Sequence, residues 1–137
     1  MLTGMAKTRR PTDAQLAVLR VLWTRGPSTV REVHDAMSEA RSVAYTTTLK
    51  TLQVMTEQGL TIREEHRGQH LYRPRHAEQE TLGRLVTDLL DRAFGGSPSK
   101  LVIHALTSRR ASPDELREIR RLLAAQSGGA KKGKDHD

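Results

Sequence analysis

A mainly α-helical fold carrying one small β-hairpin follows from three features of the 137-residue sequence. Apolar residues recur at helical spacing through most of the chain. The spacing changes from 3.6 to 2 once, around residues 60–72. Gly or Pro marks the ends of the periodic stretches, at Gly26-Pro27, Gly59, Pro74 and Gly95-Gly96. Leu, Ile, Val and Phe supply only 29 residues, so the core is thin and burial against a second copy is expected. The chain has no cysteine, which excludes disulfides and thiolate metal sites. No apolar run is long enough for membrane insertion, so a cytoplasmic protein is expected. The net charge is +7 and the pI is near 10.4, which points to a polyanionic partner. Residues 1–75 hold 12 basic and 7 acidic residues, and residues 76–137 hold 11 and 9, so the surplus sits mainly in the first half.

The elements follow in order. Met1 to Arg10 lacks apolar periodicity and reads as a loose basic arm. Thr12-Asp13-Ala14-Gln15 is a capping box that opens a first helix bearing Leu16, Leu19, Leu22 and Trp23. Ser28-Thr29-Val30 is a short extended piece or a cap. A second helix turns Val33, Ala36 and Met37 inward and Glu32, Asp35 and Glu39 outward. After a turn at Arg41-Ser42-Val43, a third helix runs from about Tyr45 to Gln58, with Gly59 as its C′ residue. In the hairpin Leu60, Ile62 and Leu71 face one way, and Thr61, Arg63 and Tyr72 the other. His66-Arg67-Gly68-Gln69 turns the chain, with Gly68 in the left-handed region. A fourth helix, from Ala77 to about Phe94, carries the stripe Leu82, Leu85, Val86, Leu89 and Leu90. Ser97-Pro98 opens a short helix with Leu101, Val102, Ala105 and Leu106. Ser112-Pro113-Asp114-Glu115 opens a last one with Leu116, Ile119, Leu122 and Leu123.

Three short helices followed by a basic hairpin is the element order of a winged helix-turn-helix. In that arrangement the third helix enters the major groove of DNA and the second crosses the backbone. Stepping around the third helix at about 100° per residue puts Tyr45, Thr48, Leu49, Leu52, Met55 and Thr56 on one side. Thr46, Thr47, Lys50, Gln53, Val54 and Glu57 take the solvent side. Lys donates to guanine, Gln pairs with adenine, and a Thr methyl packs on thymine, so Thr46, Thr47, Lys50 and Gln53 are the candidate base readers. Arg63, His66, Arg67 and His70 on the wing suit phosphate or minor-groove contact. The stripe Leu82–Leu90 with Phe94 exceeds what one helix of a thin monomer buries, so it is assigned to a dimer interface together with Leu101 and Leu122. The expected organisation is an arm over 1–10, a winged helix-turn-helix domain over 11–75, a helical dimerisation domain over 76–126 and a disordered tail over 127–137.

Ala44-Tyr45-Thr46-Thr47-Thr48-Leu49, with Leu52, Met55 and Glu57-Gln58-Gly59-Leu60, resembles the recognition-helix block of the penicillinase-repressor family (BlaI/MecI/CopY). Leu22-Trp23, Gly26-Pro27 and Thr29-Val30-Arg31-Glu32-Val33 are similar to that family's opening, and the spacing of Gly95-Gly96 from Leu101-Val102 matches as well. The resemblance covers roughly residues 11–125. It implies a dimeric transcriptional repressor that binds an inverted-repeat operator of double-stranded DNA with TACA/TGTA-type half-sites. In the β-lactam-responsive members a membrane-bound sensor protease signals, the C-terminal domain is cut and the dimer parts. Laid on this chain the cut falls at His104-Ala105, a pair unlike the Asn-Phe type of the best-known members. The absence of cysteine excludes the copper-sensing branch.

Two rival classes are tested by the same residues. An enzyme needs a nucleophile, a metal or an acid–base pair. His66 and His70 have no carboxylate spaced to complete a site, Glu64-Glu65 points to opposite faces of a strand, and no phosphate-binding Gly-rich loop is present. No catalytic role, cofactor or metal is expected. A winged helix used for protein contact rather than DNA is the alternative; the basic wing and the polar leading face of the third helix argue for DNA.

Overall fold

The computed structural model describes the backbone of residues 10–135 and the side chains of residues 10–127. All but Arg10 of the expected basic arm lies outside the described residues. The chain divides into two compact units, one reaching Asp88 and the other beginning at Leu89.

The first unit contains α1 (Asp13–Arg25), α2 (Val30–Ser38), α3 (Tyr45–Glu57), β1 (Thr61–His66) and β2 (Gln69–Pro74), and it holds the first part of α4 (Glu78–Ala93). Two capping boxes start its leading helices. The Thr12 hydroxyl accepts from the Gln15 amide while Gln15 Oε1 accepts from the Thr12 amide. Thr29 and Glu32 make the same reciprocal pair at α2, which satisfies donors a helix start leaves open. Val18, Leu19 and Leu22 from α1, Val30, Val33 and Met37 from α2, Leu52 and Met55 from α3, and Tyr72 from β2 form one buried cluster. Each such side chain contributes about 1.5–3 kcal/mol by leaving water, so this cluster is what sets the three helices against one another.

The two strands pair antiparallel, with Thr61 opposite Pro74 and His66 opposite Gln69. The inward face of this hairpin is the one bearing Thr61 and Tyr72, which are 2% and 1% exposed. Ile62 and Leu71 on the other side are only half-buried, and Leu60, just before β1, packs against the core cluster instead of facing with them. Hydrogen bonds explain the choice. Ser28 and Tyr72 exchange backbone bonds of 3.0 and 2.8 Å, so Ser28 acts as a one-residue third strand. The Thr61 hydroxyl lies 2.9 Å from that of Thr56, whose own hydroxyl donates to the Leu52 carbonyl. The wing is thereby tied to the C-terminal end of α3 and to the start of α2.

The second unit contains α5 (Pro98–Ser108) and α6 (Pro113–Asp135). Gly95 and Gly96 take φ of 58° and 79°, and the Gly96 amide donates to the Leu90 carbonyl to close α4. Ser97 caps α5 with Pro98 in its first turn. Ser112 and Glu115 form a third capping box at α6. The Ser112 amide, and then its hydroxyl, hydrogen-bond the Glu115 carboxyl and hold it below the usual carboxylate range. The bounds of α6 reach Asp135, overlapping the stretch expected as a disordered tail from 127.

Candidate nucleic-acid interface

Helix α3 presents two chemically distinct faces. Thr48, Leu52 and Met55 are buried, while Thr46, Thr47, Lys50, Gln53 and Glu57 are exposed and Val54 is half-buried. The four candidate base readers therefore stand on the open side of the helix, as their spacing requires. The Thr51 hydroxyl donates to the Thr47 carbonyl at 2.8 Å and is engaged with its own helix. No side chain caps the start of α3; the Ala44 carbonyl accepts instead from the Thr47 and Thr48 amides.

The wing tip is a tight two-residue turn. Arg67 and Gly68 both have positive φ, 53° and 79°, the pattern of a type I′ hairpin. A side chain in that region costs of order 1–2 kcal/mol relative to Gly. Arg67 is thus a long cation kept at a position that favours Asn, Asp or Gly. Register separates the remaining wing residues. Arg63 pairs across the strands with Tyr72, and Glu65 with His70, so these four share one face. His66 shares the opposite face with Gln69, Glu64 and Leu71. Glu64 makes an ion pair of 3.3 Å with Arg73 there. His66 and His70 consequently point to opposite sides, and no group of three His, Asp or Glu that could hold a metal occurs among the described residues.

A groove between the start of α2, the outer side of α3 and the wing is lined by Arg31, Tyr45, Gln53, Arg63 and His70, among others. It unites Gln53 with two of the four wing candidates. Arg67 at the tip, His66 on the reverse face, and Thr46, Thr47 and Lys50 do not line it. Sequence reasoning missed Arg31 and Tyr45. Periodicity placed Tyr45 on the inner side, yet it is 37% exposed. The Arg31 guanidinium lies 4.6 Å from its ring centroid, and His34 meets the same ring edge-on at 5.5 Å. Arg, His and Tyr at positions that α2 and α3 bring together were a readable signal only once the two helices had been placed.

The model of the family described as penicillinase repressor matches residues 11–125. The chain belongs to the penicillinase repressor family. Two curated relatives, each named transcriptional regulator BlaI, come from Mycobacterium tuberculosis strains CDC 1551 and H37Rv. Each is 36% identical over 127 residues, covering 91% of both chains. Among solved structures, monomeric BlaI of Bacillus licheniformis in complex with the blaP half-operator is 22% identical with a TM-score of 0.48. It covers 54% of this chain and 90% of that one. Staphylococcus aureus MarR in complex with salicylate and kanamycin is 19% identical with a TM-score of 0.49, covering 87% and 73%. As a member of the penicillinase repressor family the chain is a DNA-binding transcriptional repressor with a winged helix-turn-helix, and its relatives are regulators rather than enzymes.

The residues assigned to a repressor dimer divide by exposure. Leu82, Val86, Leu89 and Leu122 are exposed large apolar side chains, whereas Leu85, Leu90, Phe94 and Leu101 are half-buried. Val102, Ile103, Leu106 and Leu123 are also exposed; none of them was assigned to the dimer interface from the sequence. His104 and Ala105, the pair nominated from the sequence as a cleavage point, are both exposed on α5, and the His104 ring lies 5.5 Å from that of Phe94. No helix among the described residues is long and apolar enough to cross a membrane.

Proposed function

We propose that two copies of this chain bind an inverted-repeat operator and block transcription, each inserting α3 into a major groove and laying its wing on the adjacent backbone. The observation that carries this reading is the exposed, non-acidic leading face of α3, with Thr46, Thr47, Lys50 and Gln53 beside a wing bearing Arg63, His66, Arg67 and His70. The name of the M. tuberculosis relatives, transcriptional regulator BlaI, supports it. The partners are double-stranded DNA and a second copy, in the cytoplasm, with no cofactor.

Dimerisation is supported by the exposed apolar side chains between Leu82 and Leu123. Exposed apolar side chains in this number on a solitary chain call for a cover. One recognition helix confers little specificity, and a dyad gives two half-sites spaced by whole helical turns. Any signal that parts the copies lowers affinity through lost effective concentration. Scission at His104-Ala105 by a sensor protease would act in this way, linking the repressor to an antibiotic response. The reading is tested by recovering genomic fragments bound by the full chain. Fragments that share a dyad motif support it. Binding that is indifferent to sequence, or a flat salt response on duplex DNA, contradicts it and favours a protein-contact module.

A further inference from the structure

We propose that Arg31 and Tyr45 form a preset seat for one DNA backbone phosphate in the groove between α3 and the wing. The proposal rests on the DNA-binding reading above and adds to it a position outside the base-reading face.

Arg31 is the second residue of α2, where the helix dipole disfavours a cation. Arg31 makes no ion pair among the described residues, although the first turn holds an acidic residue. The neighbouring Glu32 is engaged by the Thr29 amide at 2.9 Å and by Arg25 at 3.6 Å. Among the described residues the guanidinium has no hydrogen-bond or ion-pair partner, and its contact is the face of Tyr45 at 4.6 Å. The cation–π contact restrains the guanidinium, and none of its N–H donors is taken up in a hydrogen bond among the described residues. Tyr45 is itself held by the edge-on His34 ring from α2, so the ring is set before any ligand arrives. Core packing does not account for this pair, since Tyr45 is 37% exposed.

The surroundings identify the occupant. The groove also holds Arg63 and His70 from the wing and Gln53 from α3, so donors converge on it from three elements. A phosphodiester matches that set in charge and in geometry, because a guanidinium fork donates to two phosphate oxygens at once. In a helix-turn-helix the helix before the recognition helix crosses the DNA backbone, and α2 is that helix here. A guanidinium already held over a ring gives up less freedom on binding than a free one. The seat thereby orients α3 on the duplex and carries no sequence information.

The test is fluorescence anisotropy of the full chain on a duplex bearing a TACA/TGTA inverted repeat and on a random duplex of equal length, across a salt series. Arg31→Ala is expected to weaken binding to both by about tenfold and to lower the salt slope by about one. Arg31→Lys should keep the slope, and Tyr45→Phe should keep the affinity. Tyr45→Leu should weaken binding about threefold while keeping the slope, and adding it to Arg31→Ala should cost nothing further, since the ring acts only through the guanidinium. Unfolding midpoints within error of the wild type confirm that the variants are folded. A wild-type slope in Arg31→Ala, or full additivity of the two substitutions, overturns the seat while wild-type operator binding leaves the repressor reading standing. A wild-type chain that binds neither duplex at low salt overturns both.

Discussion

The two ends of this chain treat apolar surface in opposite ways. Among the described side chains every buried apolar residue lies at or before Tyr72, and eight of the nine exposed large apolar residues lie at or after Leu82. The first unit closes its own core from three helices and a strand. The second has capped helices and surface ion pairs, such as Arg117 with Asp114 and Arg121 with Glu118, but no buried apolar residue among those described. Helix quality is equal in the two regions, since capping boxes occur in both. The difference lies in what covers the apolar stripe: other elements of the same chain in one case, and in our reading a second copy in the other. The ninth exposed apolar residue, Tyr45, stands at the start of α3, in the groove that faces the proposed DNA.

Charged substitution should break this contrast most strongly. Leu89→Asp, at a side chain 48% exposed in the single chain, is expected to separate the copies and lower operator affinity by about a hundredfold or more through lost effective concentration. Sedimentation and operator titration check this together. Leu52→Ala, in the closed core, should cost about 2–5 kcal/mol of unfolding free energy, read by urea denaturation at a concentration where the protein is monomeric. Leu122→Ala in the same assay should cost far less, and equal losses would erase the distinction between the regions. Lys50→Ala should weaken operator binding by roughly 1–3 kcal/mol more than binding to random duplex; equal losses on the two would remove Lys50 from base reading. Arg67→Asn should act with two signs. The fold gains up to about 1 kcal/mol by relieving the left-handed arginine, while the DNA salt slope falls by about one. An unchanged slope would take the wing tip out of phosphate contact. The smallest effect belongs to the cap of α6. Because Ser112 lowers the pKa of Glu115, that cap supports the helix at neutral pH and loses its support as pH falls through the depressed value. Glu115→Gln should blunt that acid-side loss in helicity, measured by circular dichroism.

Much of this was legible because it is local. Thr12 and Gln15, Ser112 and Glu115, the stop at Gly26 and the turn at Gly68 each follow from chemistry within four residues. The capping box of Thr29 and Glu32 obeys the same rule, although the sequence left Ser28-Thr29-Val30 open as an extended piece or a cap. The two faces of α3 followed from spacing alone. What stayed hidden depends on partners distant in sequence. The buried face of the wing was settled by Ser28 pairing with Tyr72 and Thr56 meeting Thr61, not by the apolar count of the strands. Arg67 could not be seen as conformationally strained until the turn was known to place two residues at positive φ. The Arg31–Tyr45 contact joins two helices, and helical periodicity assigns faces without saying which faces meet. The exposure of Ile103, Leu106 and Leu123 likewise depends on where neighbouring helices leave gaps.

The most direct measurement is sedimentation of the purified chain alone and mixed with a duplex carrying one inverted repeat, at low ionic strength. The account predicts a dimer in free solution and two chains per duplex, with Leu89→Asp sedimenting as a monomer. A single chain at working concentration that leaves the duplex unshifted would contradict it.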